Sequence, residues 1–474
     1  MPLPGPDRDM DQLDRLASDP SAGAEVHEAR GLLLEARARL PEAAQALSRA
    51  LELEPGRRAA AEARARIALN LRAEDAVAHC RRALAFHAAD PQMQLQMIEV
   101  VASYLGTAAQ PLFEEFVEAH PGDVAALERL ADLRAQNGEG DRFADPFEAS
   151  IARHPERRDL YLAFARTLSR SLRHDKALDV VERARAAFGE AADLDLLEAQ
   201  VALHAGLEGR AEARLAGLGG GSQASLARAQ FYLQTARPEA AAGLLQAAVD
   251  ANAGDLAAWA LLAVAWRVLG DERHAWLCEQ PGLCRALPLP LAEDALAAVA
   301  GALRALHTAR EQPLGQSVRG GTQTAGFLFA REDPDLARLR DSLAEAVNAY
   351  VAGLPPFDAT HPLLRHRNGR LAFGPSWSVR LSGGGFHVPH LHPGGVLSSA
   401  CYVSLPEGLA ESGSKEGWLE LGRPPPELKV DLPPIMTIRP QPGVLALFPS
   451  YLFHGTRPFP AGERLTVAFD VVAS

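Results

Sequence analysis

The stretch Phe386-His387-Val388-Pro389-His390-Leu391-His392-Pro393 decides how the rest of the 474-residue chain is read. It holds three histidines, between a Gly-rich turn expected at Gly383-Gly384-Gly385 and a strand-like run from Val396 to Leu405. In an extended chain side chains alternate faces, so His390 and His392 point the same way and His387 points away. Two imidazoles two apart on a strand can grip one metal ion, with a third ligand from elsewhere. The candidate is His454, in Phe448-Pro449-Ser450-Tyr451-Leu452-Phe453-His454. Further on, Arg464 opens the run Arg464-Leu465-Thr466-Val467-Ala468-Phe469-Asp470-Val471-Val472, on which Arg464, Thr466, Ala468 and Asp470 share one face.

From Leu371 onward the pattern is one of short strands. Ser376 to Leu381 alternates, and Leu397 to Val403, Trp418 to Leu421, Ile435 to Arg439, Val444 to Phe448 and Arg464 to Val472 follow, separated by turn signals such as Pro424-Pro425-Pro426 and Gln441-Pro442-Gly443. Short strands so punctuated predict a β-sandwich or barrel. Upstream, Ala292 to Ala309 and Asp333 to Leu354 read as helices. The polar stretch Gln316 to Thr324 between them reads as a loop, either over the site, bringing Arg319 or Gln323 to a substrate, or as a surface turn.

Residues 25 to about 277 are helical in pattern, with Ala and Leu recurring at i, i+3, i+4 and i+7. A phrase repeats at helix ends: Leu53-Glu54-Pro55, Ala89-Asp90-Pro91, Ala119-His120-Pro121 and Arg153-His154-Pro155. The spacing of these prolines, roughly 30 to 36 residues, is close to the tetratricopeptide period. One helix pair cannot bury its apolar face alone, so neighbours stack into a solenoid. Trp259-Ala260-Leu261-Leu262-Ala263-Val264-Ala265-Trp266 followed by Gly270 fits the repeat consensus best, and roughly six or seven helix pairs are expected. Concave surfaces of this kind bind peptides or proteins, but nothing in the repeats names a ligand.

Composition excludes several classes. The net charge of −12 argues against a general nucleic-acid surface. Residues 1–24 are Pro- and Asp-rich without an apolar core, which reads as a disordered lead and not a signal peptide. No run is long enough to span a bilayer, so no membrane role is expected. Cys80, Cys278, Cys284 and Cys401 are scattered, which favours a reducing cytoplasm over a disulfide framework. Cys401 reads as a small buried strand residue and not a catalytic thiol.

The order His390-Leu391-His392, His454, Arg464-Leu465-Thr466 resembles the C-terminal domain of 2-oxoglutarate/Fe(II)-dependent dioxygenases, and is distantly similar to aspartyl/asparaginyl β-hydroxylase. The wording Gly321-Thr322-Gln323-Thr324, Pro389-His390-Leu391-His392-Pro393 and Phe448-Pro449-Ser450 resembles a bacterial branch that carries tetratricopeptide repeats before the oxygenase. The resemblance implies an all-α tetratricopeptide solenoid over 25–277, a linker over 278–290, and a double-stranded β-helix of jelly-roll or cupin type over 291–474 with supporting helices. It implies Fe(II), 2-oxoglutarate and O2, with ascorbate as a stimulant. His390 and His454 correspond to metal ligands. Arg464 and Thr466 correspond to the clamp for the distal carboxylate of 2-oxoglutarate. His392 stands where the family has its acid, and is expected as the third ligand or as a substrate contact. His387 is expected to face outward or to stand behind the ligands, with replacement of one of them as the alternative. Trp377, Arg380, Ser399 and Tyr402 are candidates to hold 2-oxoglutarate or substrate, against ordinary strand packing.

The implied function is hydroxylation of a side chain on a protein or peptide recruited by the repeats, in a cytoplasmic protein free to form a homo-oligomer. Two alternatives stand beside it: a small-molecule oxygenase whose repeats serve assembly, and a non-catalytic repeat scaffold with a degenerate barrel.

Overall fold

The repeated Pro-containing phrases become turns between helices in the computed structural model, which describes residues 6–71, 73–325, 328–409 and 414–473. Helices end at Leu53, Ala119 and Arg153, and the next begin at Arg58, Val124 and Arg158. Short acids cap several starts: Asp90 accepts from Met93 N, Asp123 from Ala126 N and Asp255 from Ala258 N. The chain forms two compact units, Met1–Pro121 and Gly122–Ser474.

The first unit stacks three helix hairpins: Ala24–Ala36 with Leu40–Leu53, Arg58–Asn70 with Ala76–Leu84, and Pro91–Leu105 with Gln110–Ala119. Leu34, Leu47 and Ile67 fill its core. Gly31 permits the closest crossing, where a Cβ would lie 2.5 Å from Leu47 Cγ. The lead expected to be disordered carries a helix, Pro6–Ala17, for a physical reason: Met10 is buried against this core and Asp14 pairs with Arg30 at 2.7 Å.

The second unit begins with five more helix pairs, from Val124–Gln136 with Asp145–Arg153 to Leu256–Leu269 with Arg273–Cys278. With the first unit's three, this exceeds the six or seven pairs expected. Strands follow: β1 (Arg285–Pro288), β2 (Val318–Gln323), β3 (Leu371–His387), β4 (Leu397–Ser404), β5 (Leu419–Leu421), β6 (Met436–Ile438), β7 (Val444–Pro449), β8 (His454–Thr456) and β9 (Arg464–Ala473). They form a six-stranded antiparallel sheet, β1-β7-β4-β9-β3-β2, and a three-stranded sheet, β6-β5-β8. This is the helical solenoid followed by a two-sheet β domain that the pattern predicts. The helices Glu293–Arg304 and Pro334–Ala352 pack on the larger sheet.

The expected linker 278–290 contains β1, which adds an edge strand by pairing Arg285–Pro288 with Val444–Leu447. One hydrophobic core runs without a break from Leu233 and Trp259 in the last repeats to Leu445 and Phe469 in the sheet. The expected turn at Gly383–Gly385 is a bulge inside β3, since Arg319 pairs with Phe386 while Gly321 pairs with Leu381. Gly384 takes φ +82°, and a Cβ at Gly385 would sit 2.7 Å from Ser382 O.

Residues 305–317 form a strap from the helix Glu293–Arg304 to β2, and the repeats hold it. The Arg310 and Glu311 amides donate to Gln136 O at 2.9 and 3.0 Å, and the Leu314 amide donates to Asp132 Oδ1 at 2.8 Å. Asp132 also accepts from Gln136 Nε2 and Arg129 Nη1, each at 2.9 Å. No described helix is long and apolar enough to cross a membrane.

Candidate active site

After β3 the chain runs on beside β8, where the His387 amide donates to Thr456 Oγ1 at 3.0 Å. It then makes a single bridge, in which the His390 and His454 amides each donate to the other's carbonyl at 3.0 and 2.9 Å. That bridge brings the two sheets together at the histidines. The imidazole centroids of His390 and His454 are 4.2 Å apart, and His392 lies 5.0 Å from each. One ring nitrogen from each of the three falls within 4.8 Å of the others.

Each ring is oriented by its Nδ1. His390 Nδ1 donates to Val388 O at 2.8 Å and His454 Nδ1 to Leu452 O at 3.0 Å. His392 Nδ1 lies 2.7 Å from Asp470 Oδ1, with Ser398 Oγ at 3.3 Å. All three Nδ1 atoms are thus engaged, which leaves Nε2 to the pocket. Burial, with the nearby His392 adding to it, pushes the His390 pKa down to about 3, and burial among the same rings carries His454 well below its ordinary value. His390 and His454 are therefore neutral nitrogen donors at neutral pH.

Arg464 and Thr466 line the same pocket, beside Gln323, Trp377 and Ser399. The Arg464 side chain is 2% exposed. Its Nη1 donates to Gly417 O at 2.9 Å, its Nε has no partner, and no carboxylate pairs with it among the described residues. Tyr402 packs its ring 5.2 Å from the guanidinium carbon, and its buried hydroxyl is likewise unpartnered. Burial depresses the Arg464 pKa and raises that of Tyr402. A buried cation without a counter-charge is costly, by several kcal/mol on general grounds, so the pocket wall is complementary to an anion.

Two expectations are corrected. Arg380 is not in the pocket. On β3 it alternates with Trp377 and Val379, which do line it, and it faces outward to pair with Glu463 at 2.5 Å. His387 does not point away. Regular β3 ends at His387, so the two-residue alternation does not carry through Pro389, and its ring lies 5.9 Å from that of His390 within the same pocket wall.

Two partners escaped the sequence reading. Asp470 supplies the carboxylate beside His392. Ser317, at the end of the strap, brings its Oγ within 2.9 Å of His387 Nδ1 and 3.2 Å of His390 Nε2. The shared face of Arg464, Thr466 and Asp470 was the available signal for the first, and no local signal pointed to Ser317. Cys401 is buried and its thiol pKa is pushed up to about 12 by burial, as expected of an inert strand residue.

Residues 375–470 match the family model described as "Putative 2OG-Fe(II) oxygenase". The matched segment runs from β3 to β9 and contains the three histidines, Asp470, Arg464 and Thr466. Among solved structures, a thermophilic TPR protein of Thermus thermophilus is 23% identical over 38% of this chain and 98% of that chain, with a TM-score of 0.30. A Pseudomonas putida prolyl-4-hydroxylase is 15% identical over 40% of this chain and 94% of that chain, with a TM-score of 0.28. HygX from Streptomyces hygroscopicus, solved with nickel and 2-oxoglutarate bound, is 14% identical over 40% of this chain and 83% of that chain, with a TM-score of 0.27. No curated protein matches the chain.

Proposed function

We propose that the chain is an Fe(II)- and 2-oxoglutarate-dependent dioxygenase that hydroxylates a side chain of a protein or peptide brought in by the repeats. The observation that carries this reading is Arg464: a buried guanidinium with no carboxylate partner among the described residues, on the wall of a pocket that also holds the imidazoles of His390, His392 and His454. A dicarboxylate chelated by a divalent metal has the charge and donor demand that this wall complements.

In this reading His390, His392 and His454 hold the metal through Nε2. Asp470 Oδ1 accepts a hydrogen bond from His392 Nδ1–H, fixing the tautomer and lending negative charge to a ligand set that lacks a carboxylate. Arg464 receives the distal carboxylate of 2-oxoglutarate, and the Thr466 hydroxyl donates to it from one strand repeat away. The unpartnered Tyr402 hydroxyl gives Arg464 a buried neighbour that polar ligand atoms can use. Bound there, Fe(II) and 2-oxoglutarate supply the oxidising power that inserts one oxygen atom from O2 into a C–H bond, while 2-oxoglutarate leaves as succinate and CO2. Trp377 and Val379 give the pocket an apolar wall, and Ser317 lies where it meets the neighbouring cleft.

The repeats contribute to this site, which favours a recruited peptide over assembly alone. Asp132 and Gln136 hold the strap that carries Gln316 and Ser317. Mass spectrometry of candidate peptides incubated with the full chain, Fe(II), ascorbate and 2-oxoglutarate tests the reading. A product heavier by one oxygen, matched by succinate, supports hydroxylation. Consumption of 2-oxoglutarate with peptide but no added oxygen contradicts it.

A further inference from the structure

A cleft of about 390 Å³ lies between the last repeats and the β domain, inside the second compact unit. Its repeat wall carries Arg170, His174, His204 and Gln230. Its other wall carries Gln316, Ser317 and Arg319 of the strap and β2, with Phe453 beside them. Gln316, Ser317 and His390 line both this cleft and the histidine pocket. The cleft therefore opens on the proposed reaction centre, and the repeats form one of its sides. Its volume falls in the range of ligand sites, about 300–1,000 Å³.

Two guanidiniums, those of Arg170 and Arg319, line the cleft, although the chain as a whole carries −12. Arg319 is half-buried, its Nη1 donates only to the backbone carbonyls of Gln316 and Val318, and no described carboxylate pairs with it. Arg170 lies against the strap, where a Cβ at Gly315 would be 3.0 Å from Arg170 Cβ, and its single ion pair is a 3.3 Å contact to Glu128. Among the lining residues the one carboxylate is on exposed Glu427, whose charge acts on Arg319 without forming an ion pair, so Arg319 keeps its guanidinium free of a direct carboxylate contact. Burial lowers the pKa of His174, which therefore offers hydrogen-bonding nitrogens and adds no positive charge. Leu172, 60% exposed and held at φ +62°, presents an apolar side chain at the same mouth.

We propose that this cleft is the substrate-recognition site and that it selects an acidic peptide segment, with a carboxylate side chain at Arg170 and Arg319 and an apolar neighbour on Leu172. The assignment rests on the hydroxylase reading for its purpose but not for its chemistry, which is charge complementarity between the cleft and the peptide. Recognition by the repeats and presentation to the histidines then occur in one continuous groove. The strap is the shared wall, so the peptide threads between helices and barrel on its way to His390.

The test uses the full chain without added iron, probed on an array of short synthetic peptides varied in acidic, basic and apolar content, at low and high salt. The wild type retains acidic peptides, and retention falls with salt. Arg170→Glu with Arg319→Glu weakens them by about tenfold or more and turns the preference toward basic peptides. Because both side chains are at least partly exposed, the variant is expected to fold; Arg319→Gln alone, which lowers acidic retention without inverting the preference, covers the case where it does not. Retention without charge preference, a preference that survives the reversal, or no peptide retained by the wild type each overturns the proposal. Succinate formed when Fe(II), 2-oxoglutarate and a retained peptide are added is read separately. Its absence counts against the oxygenase reading and leaves the array result standing.

Discussion

Asp470 Oδ1 lies 2.7 Å from His392 Nδ1, so the carboxylate missing from the expected ligand position is found one hydrogen bond behind it. β9 delivers it: Asp470 pairs in register with Ser398 of β4, whose hydroxyl also reaches both Asp470 and Ser450. Asp470→Ala frees the His392 ring and removes its negative partner. Affinity for Fe(II), or for Mn(II) as a redox-silent probe, is expected to fall about 10- to 100-fold. An unchanged metal affinity, measured by titration, would mean that His392 does not hold the metal.

Arg464 is a buried charge with no carboxylate partner among the described residues, and this makes an unusual stability prediction. Arg464→Met removes the desolvated cation and is expected to raise the melting temperature of the ligand-free protein, by the equivalent of about 1–3 kcal/mol. The same variant loses the further rise that 2-oxoglutarate gives the wild type. Arg464→Lys keeps the charge but not the fork, and its KM for 2-oxoglutarate is expected to rise about 10-fold or more. Thermal scans with and without 2-oxoglutarate check the first two outcomes, and steady-state kinetics the third.

Asp132 is far from the histidines in sequence but holds the strap that brings Ser317 to them. In Asp132→Ala the Leu314 amide loses its acceptor, at a cost of about 1–3 kcal/mol for the buried group left unpaired. Hydrogen exchange across 310–317 is expected to accelerate, and coupled turnover to fall, while 2-oxoglutarate binding is retained. Unchanged exchange in that segment would show that Gln136 alone fixes the strap.

His361 supplies a pH dependence. It is fully buried; its Nδ1 accepts from the Leu363 and Leu364 amides at 3.1 Å and its Nε2 donates to Leu277 O at 3.2 Å. Burial pushes its pKa down to about 4. The unfolded chain binds a proton near pH 6.5 that the folded chain refuses until about pH 4, so stability rises with pH across that window. The contribution is complete above pH 6.5 and is lost as pH falls toward 4, up to about 3 kcal/mol. Urea unfolding followed by tryptophan fluorescence reads it, because the Trp276 ring is 5.0 Å from His361. His361→Gln is expected to flatten the slope between pH 4.5 and 6.5; an equally steep slope in the variant would assign it to other histidines.

What the sequence made legible follows from how each element is buried. β4, β7 and β9 are buried along most of their length, so their runs of Val, Leu and Phe stand out, and the expected and observed bounds differ by one residue at most. β2 was read as a loop because its Val-Arg-Gly-Gly-Thr-Gln has two glycines and little to pack, and its pairing with β3 comes from a partner about 60 residues away. β1 and β8 are short, and β1 ends in Pro288 at the sheet edge, where a missing donor costs nothing. The histidines and Arg464 were legible as spacing on strands. The outward turn of Arg380 was legible too, by the alternation with Trp377 and Val379, whereas His387 required knowing that the strand ends there. Long-range contacts such as Asp132 to Leu314 leave no local pattern to read.

The measurement that tests the central claim most directly is anaerobic absorption spectroscopy of the full chain loaded with Fe(II) and titrated with 2-oxoglutarate, for the wild type, His392→Ala and Arg464→Met. A weak visible charge-transfer band is expected to grow on adding 2-oxoglutarate to the wild type, to be lost or shifted in His392→Ala, and to need much higher 2-oxoglutarate in Arg464→Met. No band in folded, iron-loaded wild-type protein would contradict a metal-chelated 2-oxoglutarate at His390, His392 and His454, and with it the reading of the β domain as a working dioxygenase.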